Sequence, residues 1–393
     1  MNRPLHVALV SGPDAGHAFP VIAIAVALRD RGHDVLVATG TQWQDDLRDE
    51  GLAFIEIPLL APTPRDADVG YRLWQRAGQM AGPLADRLEA FAPDVVVADT
   101  LTRAGGFAAD LLGVPWIEIA PHFLYDPDPL VPPIGLGAAP ARDPFRRLNQ
   151  ASIRRQQAAS VARGDELAAQ VRAELGLSGD GRPIGRLLAT LPVLEPVRAA
   201  WPGRTFVVGP LAWEPSSWPE LEPPVGTGPL VLVSDSTASD VDGSIAATAL
   251  SWLADVTDVR GVVTTSQDLD PIVGRVVVGR GRHSSLLPHV DLVVATAGHG
   301  LVTKALAAGV TLVLVPLHGD QRETAARVAR AGLGWRVPRQ GLDPERLGAA
   351  VRAALGDHAA RRRAGRVAAE ALRLGPARAA TAVENMIAAT DPR

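Results

Sequence analysis

The sequence predicts an α/β protein made of two halves, each a parallel sheet flanked by helices. Three observations predict it. Short, β-rich apolar runs alternate with longer stretches of helical apolar spacing in both halves, which is the pattern of βαβ units. Between the halves lies a proline cluster (Pro210, Pro215, Pro219, Pro223, Pro224 and Pro229) that follows neither period and reads as a linker. The 393 residues are too many for one ordinary core and suit two of about 200 each.

The first half opens with a strand over 5–10, apolar on both faces, and a helix over 19–31 that ends at Gly32. Residues 34–38 form the next strand, 73–90 a helix and 95–98 a buried strand. A helix over 105–112 closes at Gly113, and 116–119 is again a strand. Residues 121–144, rich in proline and glycine, form a long loop of the kind that usually carries function. A helix over 148–175 follows. After the linker the alternation restarts: strands at 230–233, 259–264, 276–278, 292–294 and 311–315, with helices at 244–253, 301–308 and 321–331. Helices from 344 to 388 finish the chain. Two open α/β halves place their strand-end loops at a shared cleft, where ligands of such sheets sit.

Composition removes several classes of function. With 47% hydrophobic and 21% charged residues, a packed globular protein is expected and disorder is not. A net charge of −4 leaves no broad basic field, so nucleic acid and anionic membranes are not general partners. No cysteine is present, which excludes disulfides, thiolate nucleophiles and cysteine-based metal sites. The opening apolar run is too short for a signal segment, and no run reaches about 18 uninterrupted apolar residues. A cytoplasmic protein with no integral membrane segment is expected, a monomer or a homodimer.

Residues 11–20 join the first strand to the first helix and contain no G-x-G-x-x-G. They place His17 at a helix start, where the dipole disfavours the cation and leaves a neutral imidazole suited to general-base work. Such a base needs an orienting acceptor, and Asp99, just past the strand 95–98, is the natural one. From position alone, plain helix capping by both residues stays open. His6, His33, His122 and His358 have no evident functional partner. In the second half, Thr296, Ala297, Gly298, His299, Gly300 and Leu301 join a strand to a helix through small residues that let backbone amides approach an anion. No P-loop pattern is present. Asp320 and Gln321 open another helix and suit sugar hydroxyls, with a simple helix cap as the other reading. Ser234, Ser236 and Thr237 offer hydroxyls after the first strand of this half.

Together these pieces resemble the family 1 glycosyltransferases of the GT-B fold, particularly the actinomycete enzymes acting on macrolides, enediynes and other natural products. The resemblance rests on Gly16, His17, Pro20, Leu28 and residues 31–35 at the front, and on Val208, Gly209 and Pro210 before the linker. In the second half it rests on residues 286–294, 298–300, 304–309, 315–317, Asp320, Gln321, 325–328 and 332–334. It implies two Rossmann-like domains facing across a cleft: 1–209 for the acceptor, 230–375 for the nucleotide sugar, 210–229 as linker, and 376–393 as a helix returning to the first domain.

The resemblance also implies the chemistry. His17, oriented by Asp99, deprotonates an acceptor hydroxyl, whose oxygen displaces a nucleoside diphosphate from the anomeric carbon with inversion. No metal and no cofactor are expected beyond a dTDP- or UDP-linked sugar, most simply a deoxysugar. Ser234, Ser236, Thr237, Thr296, Gly298, His299, Gly300 and Leu301 would meet the diphosphate, Arg282 and His283 the base, and Asp320 and Gln321 the sugar. Loops 58–70 and 121–144 would line a pocket for a hydrophobic acceptor through Trp74, His122, Phe123, Leu124, Tyr125, Leu130 and Ile134.

The family usually reads His-Gly-Gly-x-Gly-Thr where this chain has residues 296–301, so a charged and a hydroxyl donor give way to Thr296 and Leu301. Each loss is expected to cost about 1–3 kcal/mol of donor binding, and Asp235 adds a negative charge nearby. Two alternatives therefore stand beside O-glycosyl transfer: C-glycosyl transfer to an aromatic polyketide, and a non-catalytic binding or auxiliary protein with a degenerate diphosphate site.

Overall fold

The structure is a computed structural model that describes residues 3–61, 63–68, 70–235, 245–317 and 319–390. Ser236 and Thr237 lie outside the described residues.

Seven parallel strands form the first sheet: β1 (His6–Val10), β2 (Asp34–Thr39), β3 (Ala53–Glu56), β4 (Val95–Asp99), β5 (Trp116–Ala120), β6 (Gly185–Leu188) and β7 (Thr205–Val207). Their spatial order is β3-β2-β1-β4-β5-β6-β7, so the winding direction reverses between β1 and β4. Helices α1 (Ala15–Arg29), α2 (Gln44–Asp49), α3 (Ala77–Glu89), α4 (Ala104–Leu112) and α5 (Pro144–Glu174) connect and cover it. The second sheet comprises β8 (Leu230–Ser234), β9 (Arg260–Thr264), β10 (Val276–Gly279), β11 (Leu292–Ala295), β12 (Thr311–Leu314) and β13 (Gly334–Arg336), in the order β10-β9-β8-β11-β12-β13. Here the reversal falls between β8 and β11. Its helices are α6 (Ile245–Asp255), α7 (His283–Leu286), α8 (His299–Ala307), α9 (Gln321–Arg330), α10 (Pro344–Gly356) and α11 (His358–Ala371), and α12 (Pro376–Ala388) ends the chain.

The two reversals create crevices beyond the strand C-termini, the places where doubly wound sheets receive ligands. Val10 pairs with Ala98, so the loop after β1 and the end of β4 open side by side. Ala295 pairs with Ser234, which does the same for the loops after β11 and β8. Gly105 lets α4 come this close. A Cβ there would stand 2.8 Å from that of Ala98 and 2.9 Å from that of Val10.

α1 is apolar nearly all round because both of its faces are covered. One lies on the sheet; the other receives α12, whose Ala379, Ala380, Val383 and Met386 share a buried cluster with Ile22, Ile24 and Leu28. Glu384 pins the contact, accepting from Arg31 at 2.7 Å and lying 3.0 Å from His33 Nε2. Residues 376–388 thus return to the first sheet. No described helix is long and apolar enough to cross a membrane.

Several boundaries differ from the sequence expectation. α1 begins at Ala15 and not at residue 19, so His17 lies within its first turn. α5 begins at Pro144 because Asp143 accepts from Arg146 N at 2.9 Å and Pro144 occupies the first helical position, where a missing N–H costs nothing. The helix expected over 73–90 is split into a π-helical turn, Tyr71–Arg76, followed by α3. Strands β3, β6, β7 and β13 and helix α2 were not expected; each is short.

Candidate active site

His17 and Asp99 meet in the first crevice. His17 Nδ1 lies 2.8 Å from Asp99 Oδ1, and the Asp99 side chain is 1% exposed. The other carboxylate oxygen accepts from Leu101 N at 3.1 Å and Thr102 Oγ1 at 3.0 Å. With its other oxygen held by these two donors, the carboxylate turns Oδ1 to accept the Nδ1 proton, which leaves the lone pair on His17 Nε2. Burial pushes this imidazole toward its neutral form. The hydrogen bond to Asp99 and the charges of Asp99, Asp14 and Asp320 push the other way and prevail, so its pKa lies above 6.5. The sequence expectation of a neutral ring rested on the helix dipole. That effect is typically 0.3–1 kcal/mol, about a third of what a contacting buried carboxylate exerts.

Asp320 acts from the second half. It occupies the cap position of α9, yet its side chain makes no capping hydrogen bond. Its charge pushes upward on the pKa values of His17, His122 and Tyr125, although burial leaves that of His122 lowered, so it overlooks the first-half loops. Gln321 is buried, and its Oε1 accepts from Leu317 N at 2.9 Å, closing the turn into α9. Its amide N–H groups make no hydrogen bond among the described residues and can serve a ligand.

The second crevice holds residues 296–301. Ala297 is fully buried with φ +71°, a left-handed conformation that costs an L-residue about 1–2 kcal/mol. Gly298 precedes α8, and the amides of Gly300 and Leu301 lie at its first turn with no hydrogen-bond partner among the described residues. Thr296 is buried, and Leu301 packs on the apolar cluster of this half. His299 is buried, and among the described residues neither ring nitrogen is hydrogen-bonded; burial, helped by His122 and Arg327, lowers its pKa to about 3. The Ala189 backbone lies near without bonding geometry.

His283 faces inward. Its Nε2 lies 3.0 Å from Thr264 Oγ1 and 3.3 Å from Ser234 Oγ. Burial and the nearby Lys304 charge hold its pKa down to about 4. Arg282 pairs with Glu220 of the linker. Asp235 accepts from Ala246 N and Thr265 Oγ1, both at 3.3 Å, so its charge serves the start of α6.

Residues 121–137 run beneath α9 and are clasped there. Phe123 is fully buried in a cluster with Val131 and Ile134. The Arg327 guanidinium lies 3.9 Å from the Phe123 ring centre. Arg327 also pairs with Glu323 at 2.9 Å and Glu195 at 3.4 Å, and donates to Leu194 O at 3.0 Å. Glu195 accepts from Leu124 N, and Glu323 accepts from Gly137 N, both at 3.0 Å. His122 packs edge-on against Tyr125, 40% exposed, with ring centres 4.6 Å apart. Leu130 is 61% exposed. Trp74 sits apart from this cluster, against Phe107 and beneath Arg103. Among the described residues no group of three or more His, Asp or Glu side chains converges as metal ligands do.

Comparison with known proteins decides what this cleft belongs to. Residues 262–386 match the family described as erythromycin biosynthesis protein CIII-like, C-terminal domain. Over 403 aligned positions the chain is 30% identical to 4'-demethylrebeccamycin synthase of Lentzea aerocolonigenes, covering 91% of this chain and 94% of that protein. The chain belongs to the natural-product glycosyltransferases.

The fold agrees. A crystal structure of the glycosyltransferase of kitacinnamycin superposes with a TM-score of 0.77 at 23% identity, over 98% of this chain and all 100% of that one. The calicheamicin glycosyltransferase CalG4 gives 0.75 at 23% identity over 100% of both chains. A spinosyn rhamnosyltransferase complexed with thymidine diphosphate gives 0.68 at 20% identity, over 96% of this chain and 99% of that one. This glycosyltransferase therefore has the GT-B arrangement of two Rossmann-like domains.

Sequence reasoning missed several buried charges of this glycosyltransferase. One is the clasp of Glu195, Glu323 and Arg327. Another is Glu214 of the linker, which takes Lys304 Nζ at 2.6 Å and Ser284 N at 2.9 Å. Its pKa falls to about 2 because Lys304 and these bonds outweigh its burial. Glu214 thereby ties α7 to α8.

Proposed function

We propose that this glycosyltransferase moves a sugar, most simply a deoxysugar, from a nucleoside diphosphate to a hydroxyl of a hydrophobic natural product, with inversion. Residues 1–209 carry the acceptor, 230–375 the donor, 210–229 join them, and 376–393 return to the first domain. One observation carries the mechanism: the 2.8 Å contact between His17 and Asp99 at the first crevice. It sets the tautomer in which His17 Nε2 takes the acceptor proton as the oxygen attacks the anomeric carbon. The C–O bond to the diphosphate breaks on the opposite face, and the imidazolium is held by Asp99.

The leaving diphosphate gains charge beside the first turn of α8. There the amides of Gly300 and Leu301, the helix N-terminus and Thr296 meet it without calling on a metal ion. His299 supports this reading. A buried imidazole with both nitrogens unpaired among the described residues is costly, and a phosphate oxygen accepting its N–H would satisfy it. Asp320 and Gln321 would receive donor-sugar hydroxyls, and Arg282 and His283 would flank the nucleobase. Phe123, Tyr125, Leu130, Ile134, His122 and Trp74 would shape the acceptor side. The thymidine diphosphate in a solved neighbour favours dTDP as carrier.

Incubation with a panel of dTDP- and UDP-sugars and aromatic acceptors tests the proposal, with the anomeric configuration of the product read by NMR. Retention of configuration contradicts it. A non-catalytic reading is favoured by Thr296 and Leu301, which stand where the family has a histidine and a threonine. Turnover abolished by His17→Ala rules that reading out.

A further inference from the structure

His122 follows β5 by two residues, and β5 lies beside β4 in the sheet. Asp99 pairs with Ile119, and Thr100 N donates to Ile119 O at 2.9 Å. His17, Asp99 and His122 therefore issue from three adjacent strand ends, β1, β4 and β5. His122 Nδ1 lies 2.8 Å from the carbonyl oxygen of Phe123. A carbonyl only accepts, so Nδ1 carries the proton and Nε2 keeps its lone pair. Nε2 makes no hydrogen bond among the described residues. The ring is fixed in place, edge-to-face on Tyr125 at 83°. Burial keeps it neutral, and the charges of Asp320, His17 and Asp99 all reach it. Among the described residues the cleft thus presents two imidazoles in the same tautomer, each with a bare Nε2. Asp99 sets the first and a backbone carbonyl the second.

The second imidazole is more than wall. Its donor nitrogen is occupied and its acceptor nitrogen is not, so it can be satisfied only by a group that donates. The attacking hydroxyl is already engaged by His17. We propose that His122 is a specificity-determining residue whose Nε2 accepts a hydrogen bond from a second hydroxyl of the acceptor, next to the one His17 deprotonates. The acceptor class is then an ortho- or vicinal diol. This deepens the proposed function and rests on His17 being the base. An acceptor lacking the second hydroxyl leaves Nε2 unpaired and should lose about 10- to 100-fold in kcat/KM.

The test uses the full chain, dTDP-glucose and two flat acceptors: esculetin, an ortho-dihydroxycoumarin, and umbelliferone, which lacks one of its hydroxyls. The wild type is expected to prefer esculetin by about 10- to 100-fold in kcat/KM. His122→Phe is expected to narrow that ratio to within about threefold, and His122→Gln, whose amide oxygen can accept, to restore part of it. Imidazole ¹⁵N spectra, assigned with His122→Phe, give a readout independent of turnover. The His122 Nε2 resonance should move when esculetin saturates the protein and stay in place with umbelliferone. An unchanged preference in His122→Phe overturns the proposal. So does a stationary His122 Nε2 resonance while that of His17 moves. If neither resonance moves at saturation, the reading of this cleft as the acceptor site falls as well.

Discussion

His17 Nδ1 and Asp99 Oδ1 stand 2.8 Å apart, and the remaining Asp99 oxygen is held by Leu101 N and Thr102 Oγ1. The carboxylate has no freedom to turn away, so the imidazole has one orientation and one tautomer. Asp99→Asn keeps the size of the side chain but can offer an N–H to Nδ1, which would favour the wrong tautomer. Loss of kcat by two to four orders of magnitude is expected, with KM for the nucleotide sugar changed less than threefold. Steady-state kinetics with saturating acceptor checks this.

A base whose pKa is raised must lose its proton before it can work. The acid limb of the kcat/KM profile is therefore expected to have its midpoint above pH 6.5, with activity rising as pH rises through it. Asp320 contributes to the shift from across the cleft. Asp320→Asn should move the limb to lower pH. An unmoved limb would show that Asp320 does not overlook His17.

Arg327 is the hinge of the clasp over residues 121–137. Its guanidinium joins Glu323 and Glu195, whose side chains are 1% and 3% exposed. Arg327→Ala leaves buried Glu323 with only Arg330, at 3.4 Å, and buried Glu195 with only Arg198, at 4.0 Å, and a loss of about 1–3 kcal/mol in unfolding free energy is expected. Denaturant unfolding monitored by tryptophan fluorescence measures it. A loss under about 1 kcal/mol would mean the cleft opens freely and water reaches the carboxylates.

Much of this architecture was legible in the sequence, and what was not has a physical reason. The central strands are continuous valine- and leucine-rich runs buried on both faces, as in residues 95–97 and 230–233. The edge strands β3, β7 and β13 and the neighbouring β6 have only three or four residues each, such as Gly334–Arg336, and each includes a polar residue or glycine. They carry no pattern of their own and form because the sheet already exists. His17 and Asp99 were legible because each follows a recognisable strand. The Glu323 and Arg327 pair, four residues apart, looks in sequence like an exposed helix pair. It is buried because the other half of the molecule covers it, which no local pattern records. The raised pKa of His17 was misread because the helix dipole was weighed without the 2.8 Å contact to Asp99, whose closeness no local pattern measures.

Glu214 supplies a pH test of the linker's role. Its folded pKa, about 2, lies below the ordinary 4.5, so the stability it contributes is present above pH 4.5 and is lost as pH falls from there toward 2. Glu214→Gln removes that dependence and leaves Lys304 without its partner. Thermal unfolding from pH 6 to 3 is expected to show a shallower decline for Glu214→Gln than for the wild type. Parallel curves would mean that Lys304 does not hold Glu214 ionised.

The most direct measurement is single-turnover sugar transfer by the wild type and His17→Ala, with calorimetry of thymidine diphosphate binding on the same samples. The wild type should transfer the sugar with inversion. His17→Ala should be slower by at least about 100-fold while its nucleotide affinity stays within about twofold, because the base and the diphosphate loop lie in separate crevices. Transfer by His17→Ala at near wild-type rate would contradict the account.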